Sequence, residues 1–146
     1  MAAGIPVRHI EQGCNVPMFK TSIQTVKAGP FEGPMVCSMR PMTPEQAQKA
    51  YDITVKMPNV HGAPVQMGDP EKIGVKDVMK PDYGDPVEIR EGEIPVFWPC
   101  GVTPQAAVDE CQAPHCHHPR ARPHVHHRHP EHRAQRLSGS PEEISK

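Results

Sequence analysis

Along the chain, apolar positions fall in short runs fenced by glycine and proline rather than in long periodic stretches. Ile5 to Ile10, Met35 to Met39, Val65 to Met67, Val87 to Ile89 and Ile94 to Trp98 have the length and the alternating or continuous apolar character of strands. The segment from Thr43 changes period. Thr43 supplies a capping hydroxyl, Pro44 the preset first helical position, and Gln46 the third residue of a capping box. Ala47, Ala50, Tyr51, Thr54 and Met57 then recur at helical spacing until Pro58 stops the run, which predicts an amphipathic helix with one buried stripe. Weaker versions of the same start signal, at Asp69-Pro70-Glu71 and Thr103-Pro104-Gln105, place helices after the strands near Val65 and Phe97. This alternation of strand, turn and helix predicts an α/β fold, with α+β as its variant, built on a mixed sheet with short helices.

Composition narrows the picture. The 146 residues suffice for one core, and 19 prolines exclude long helices, coiled coils and most central-strand runs. No stretch is apolar for long enough to cross a bilayer, and the N-terminus lacks a signal-peptide pattern. Charge is nearly balanced overall, with no pull toward nucleic acid or a membrane, but it divides unevenly. Residues 1–111 carry a net −4 and residues 112–146 a net +3, which marks a body and a tail. Cys14, Cys37, Cys100, Cys111 and Cys116 are odd in number and form no CxxC pair, so reduced thiols are expected rather than a disulfide framework or zinc ribbon.

Three segments of the body carry candidate chemistry. Cys14 and Asn15 set a thiol and an amide beside the turn at Gly13, where a half-buried loop cysteine is the plainer reading. His61 and Asp69 flank the strand at Val65, and a histidine there is either a proton carrier or a structural group. Cys100, Gly101 and Thr103 lie where a strand enters a capped helix, whose N–H groups could bind a carboxylate and lower the pKa of a nearby thiol. The alternative for Cys100 is a small residue packed under the turn. Asp82 and Asp85 alone read as turn residues around Gly84. Arg40, at the end of a strand, could grip a carboxylate through its two-pronged guanidinium or lie on the surface.

Five runs carry more than periodicity: GIPVRHIEQGCNVPMF (4–19), SMRP (38–41), VHGAPVQMGDP (60–70), KPDYGDPVEI (80–89) and IPVFWPCGVTPQ (94–105). In this order they resemble the D-glutamate cyclase family, whose bacterial members are named as hydro-lyases. The resemblance covers residues 1–111. It implies an α/β protein that cyclises a small-molecule substrate, D-glutamate, to 5-oxo-D-proline with loss of water, and it implies no cofactor and no metal. Family members are longer at both ends, so an incomplete domain is expected. Location follows the relatives, the mitochondrial matrix for the animal type or the cytoplasm for a bacterial one, and a homo-oligomer stays open. The reaction needs a partner for a carboxylate, groups that move protons, and donors for an oxyanion. Set on matched positions, Arg40 and Asn15 would bind substrate, His61 with Asp69 or Asp82 would move protons, Cys100 would stand by, and the N–H groups from Gly101 to Thr103 would stabilise the oxyanion.

The tail reads differently. Eight of the ten histidines lie between His115 and His132, a composition suited to zinc, nickel or copper, so a small His-rich metal-binding protein is the alternative function. Val125 is the only large aliphatic residue of residues 114–133, too little apolar surface to offset ordering, and the tail is expected to be disordered. Residues 117–129 can also be encoded so that the frame one base later reads Ile-Thr-His-Ala-Pro-Gly-His-Met-Phe-Ile-Thr-Asp-Ile, similar to the next motif of the family. A frame-shifted continuation of the domain would explain the histidines without selection for metal.

Overall fold

The computed structural model describes residues 4–111, and the tail expectations lie outside the described residues. Four strands form one sheet in the order β1-β2-β4-β3, with β1 at Met18–Gln24, β2 at Pro34–Met42, β3 at Gln66–Met67 and β4 at Ile94–Pro99. Every pairing between these strands is antiparallel. Three helices accompany them, α1 at Arg8–Glu11, α2 at Pro44–Thr54 and α3 at Thr103–Cys111. The α/β fold with short helices stands as the sequence implied, but the expected mixed sheet does not: all described pairings are antiparallel, and only β1 and β2 are joined by a short loop, residues 25–33.

Helix α2 starts as the capping box dictates. The Thr43 hydroxyl accepts from the Gln46 N–H at 3.3 Å and the Gln46 side chain accepts from the Thr43 N–H at 3.1 Å. Ala47 and Ala50 are its buried stripe. The helix stops at Thr54, whose hydroxyl donates to the Ala50 carbonyl at 2.9 Å, and Met57 falls in the exposed turn beyond. Helix α3 also forms where its cap signal stands. The signal at Asp69 yields only one 3-10 turn, Pro70–Ile73: the Asp69 carboxylate accepts from the Glu71 N–H at 3.2 Å, and Gly74 ends the turn at φ 79°.

Two expectations for strands need correction, and one strand is additional. Ile5 to Ile10 is not a strand. The chain coils into α1, because Arg8 is buried and its guanidinium binds Glu11 at 2.9 Å and also Glu93, which lies just before β4. Val87 to Ile89 is irregular, although Val87 is fully buried in the core. Strand β1 was not expected; its polar Lys20, Thr21 and Ser22 mask a run that β2 completes by pairing.

Three clusters make the core of the described residues, one of them Met18, Val36 and, from α3, Ala106; the other two lie on opposite faces of the sheet. Cys37 and Met39 of β2 and Phe97 of β4 face Phe19, Ile73, Val75 and Val87 on one side, where the Phe19 and Phe97 rings meet edge-on at 6.0 Å. The alternate residues Met42, Val96 and Trp98 pack on the other side against Ala47 and Ala50 of α2. Strand periodicity therefore puts Ser38, Arg40 and Met42 on the α2 side, with Trp98 directly across from Ser38 and Val96 across from Arg40.

Candidate functional site

On the α2 side of the sheet a cavity of about 680 Å³ opens between α1, α2, the Val60–Gly62 turn and the β2–β4 face. Ser38, Arg40 and Met42 form its floor with Trp98 and Cys100; Cys14, Asn15 and Val16 close one side, and Met57, Val60 and His61 the opposite rim. Most of the wall is apolar, so polar groups inside it act in a medium that screens weakly.

Arg40 is the cation of this cavity. Its guanidinium carbon lies 5.6 Å from the centre of the Trp98 ring, and its Nη1 lies 3.4 Å from the Ser38 hydroxyl. Trp98 is itself held, since its indole N–H donates to the Thr54 hydroxyl at 3.3 Å. Burial pulls the Arg40 guanidinium below its ordinary pKa, with Cys100 opposing the shift. Such a group remains charged under ordinary conditions. Among the described residues no carboxylate lies within ion-pair distance of Arg40. A half-buried cation that strand pairing and an indole ring hold in place, with donors still to be satisfied, is suited to an incoming carboxylate.

The structure brings Arg40, Asn15, His61 and Cys100 to one cavity. His61 stands exposed at its rim, and the Cys100 sulfur lies 3.5 Å from that of Met18. The other expected site residues lie outside the lining, and three of them have structural tasks. Asp69 caps the 3-10 turn. The Asp82 carboxylate accepts from the Lys20 N–H at 2.8 Å, which fixes β1 rather than serving the cavity. Gly101 is exposed in the turn after β4. The Thr103 hydroxyl accepts from the Val36 N–H at 3.0 Å and donates to the Cys100 carbonyl at 2.8 Å, and the Thr103 N–H donates to the same carbonyl at 3.0 Å. Thr103 at the start of α3 is thus spent on joining β2 to β4, and neither it nor Gly101 lines the cavity.

The Asp85 carboxylate accepts from the Asn15 N–H at 2.9 Å, and Tyr83 exchanges backbone hydrogen bonds with Met18 at 2.9 and 3.1 Å. The KPDYGDP run therefore clamps the loop that carries Cys14 and Asn15 into the cavity wall. Ser38 and Trp98 were missed as site residues. The signal was present: Ser38 and Arg40 are two apart on one strand, and Trp98 ends another apolar strand, but their juxtaposition depends on register.

The four described cysteines are free thiols. Cys37 lies behind the sheet, fully buried, and burial together with Cys100 pushes its thiol up to about 12. Among the described residues no group of three or more His, Cys, Asp or Glu side chains is arranged to hold a metal ion. No helix among them is long and apolar enough to cross a membrane.

A family model described as D-glutamate cyclase matches residues 1–122. Proteins named "Putative hydro-lyase" are similar over much of the chain. The one from Azorhizobium caulinodans is 66% identical over 108 residues, which is 74% of this chain and 40% of the relative. That of Bordetella petrii is 61% identical over 113 residues, 77% of this chain and 43% of the relative. That of Geobacillus kaustophilus is 63% identical over 107 residues, 73% and 41% respectively. The chain belongs to the D-glutamate cyclase family, and it spans about two fifths of the length of these relatives. All three relatives are bacterial, so the mitochondrial matrix finds no support here.

Proposed function

We propose that the cavity beside Arg40 is the carboxylate-binding part of a hydro-lyase site of the D-glutamate cyclase type, in a bacterial cytoplasmic setting. The observation that carries this reading is a half-buried guanidinium, stacked on Trp98 and without a described carboxylate partner, in a cavity large enough for a five-carbon amino acid. Membership of the family and the names of the relatives support the reaction class. Arg40 holds one carboxylate of D-glutamate. The amine attacks the carbonyl carbon of the other carboxyl group, the C–N bond forms, a C–O bond breaks, and water leaves with 5-oxo-D-proline. His61, at the rim, carries protons between the reacting groups and solvent, and Asn15 donates to substrate oxygen; that both line the cavity supports this reading. Thioester formation on Cys14 or Cys100 is disfavoured, because an ionised carboxylate is a poor electrophile.

The test is turnover by the purified chain. D-glutamate is supplied and 5-oxo-D-proline is followed by chiral chromatography, with Arg40→Met as the comparison. The expected result is product formation that falls at least tenfold in Arg40→Met, which removes a charge-assisted contact of about 1.5–3 kcal/mol. Product no greater than in Arg40→Met would set this reading aside.

A further inference from the structure

The charge around this cavity is one-sided. Its titratable lining groups are Arg40 from β2, His9 from α1, Cys14 from the loop that follows α1, His61 from the turn beyond α2, and Cys100 after β4. Among the described residues that line it there is no aspartate or glutamate. Of the carboxylates on the surrounding segments, Glu11 and Glu93 are engaged on Arg8, Asp85 on the Asn15 N–H, Asp82 on the Lys20 N–H and Asp52 of α2 with Gln48, while Glu45 of α2 is exposed outside the lining. A carboxylate ligand therefore finds a cation, whereas an ammonium group finds a cation of its own sign and apolar wall such as Met42 and Ile53. Both effects disfavour a positive charge on the ligand.

We infer that the cavity takes its ligand as a monoanion, one carboxylate on Arg40 and an uncharged remainder, so that D-glutamate reacts with its amine free and its second carboxyl group protonated. This rests on the hydro-lyase reading above. In water D-glutamate carries an ammonium and two carboxylates, a net charge of −1. Moving a proton from the ammonium to the second carboxylate keeps that net charge, matches it to Arg40, and removes two formal charges from apolar surroundings. Desolvation shifts amine and carboxyl pKa values toward each other by up to about 3–5 units each when burial is full, enough to close the gap that separates them in water. The resulting form is also the reactive one. The free amine has a lone pair for attack, and the protonated carboxyl loses hydroxide instead of oxide. The C–N bond forms, the C–OH bond breaks, and the hydroxide takes a proton from the new amide nitrogen to leave as water. The product, 5-oxo-D-proline, is again one carboxylate on an uncharged ring.

Glutaramate and D-glutamine make the test. Both have five carbons, one carboxylate and a terminal amide; only D-glutamine has an ammonium. Calorimetric titration of the chain at pH 7 is expected to give at least tenfold tighter binding for glutaramate. The ratio should fall toward one as the pH is raised to the range where the D-glutamine amine loses its proton. Equal affinities at pH 7, or tighter binding of D-glutamine, would overturn the inference by revealing a partner for the ammonium. Arg40→Met separates the two levels of the argument. If glutaramate binding is lost in that variant, the carboxylate grip stands whatever the ratio shows. If glutaramate fails to bind the wild-type chain, or binds Arg40→Met equally well, the hydro-lyase reading falls and takes this inference with it.

Discussion

A side-chain carbon placed on Gly84 would stand 2.1 Å from the carbonyl oxygen of Val16. The two residues lie far apart in sequence, and their contact seats the Lys80–Ile89 segment against the loop that carries Asn15 into the cavity. Gly84 also adopts φ 78°, a conformation that costs other residues about 1–2 kcal/mol. Gly84→Ala is therefore expected to cost more than about 3 kcal/mol, or to prevent folding. Gly92→Ala, at φ 81° but with open space around it, is expected to cost only the conformational part. Thermal unfolding of the two variants side by side checks this; equal midpoints would show that the seat at Val16 is dispensable.

The thiol of Cys37 gives a pH dependence with a definite sign. Its folded pKa, about 12, stands above its ordinary value of 9.0 because the group is buried. Below about pH 9 the thiol is neutral in both states and its full contribution to folding is present. Between 9 and 12 the unfolded chain releases a proton that the folded chain retains, so stability falls by up to about 1.4 kcal/mol per pH unit. Urea unfolding of the wild type and of Cys37→Ala at pH 8, 9.5 and 10.5 should show the wild type losing more stability as pH rises. Parallel losses would contradict the burial argument.

Thr54 holds the floor of the cavity in place through the Trp98 indole. Thr54→Val keeps the shape and removes the acceptor, leaving a buried N–H without its partner at a cost of about 1–3 kcal/mol. Carboxylate affinity is expected to drop two- to fivefold, less than in Arg40→Met, because the guanidinium stays while its platform loosens. Calorimetry with glutaramate on both variants ranks the effects; a Thr54→Val loss as deep as that of Arg40→Met would assign Thr54 a direct contact.

The His-rich stretch between His115 and His132 is open to a test that needs no structure. A frame-shifted origin requires that the transcript over codons 105–137, read one base later, continue the family's motifs. Sequencing the transcript and the peptides of the isolated protein decides it. A shifted frame without family-like sequence, together with abundant His-rich peptides, would return metal binding to consideration.

What the sequence made legible was local. The Thr43 capping box and the Thr103 start needed only neighbouring residues to define them, and both helices stand where those signals are. Strand β1 and the helix at Arg8 were hidden because distant partners decide them: β2 completes the first, and Glu93 neutralises the buried guanidinium of the second. Val87 shows the converse, a β-branched run that fills the core without finding a strand to pair with. The site divides in the same way. Arg40 and His61 were readable as chemical types, and the cavity contains both. Asp69, Asp82 and Thr103 carry equally suggestive chemistry, yet backbone N–H and carbonyl groups absorb it. Residue type names what a side chain could do; only the register of β2 against β4 shows that Ser38 and Trp98 join Arg40.

Trp98, the single tryptophan of the chain, lies against Arg40 and reports on carboxylate binding there without a label. Titrating 5-oxo-D-proline while following the indole N–H resonance of Trp98 is the most direct measurement. A saturable shift of that resonance is expected in the wild type, with its loss in Arg40→Met. A resonance that does not move, or that moves equally in both proteins, would contradict the assignment of this cavity as the carboxylate site.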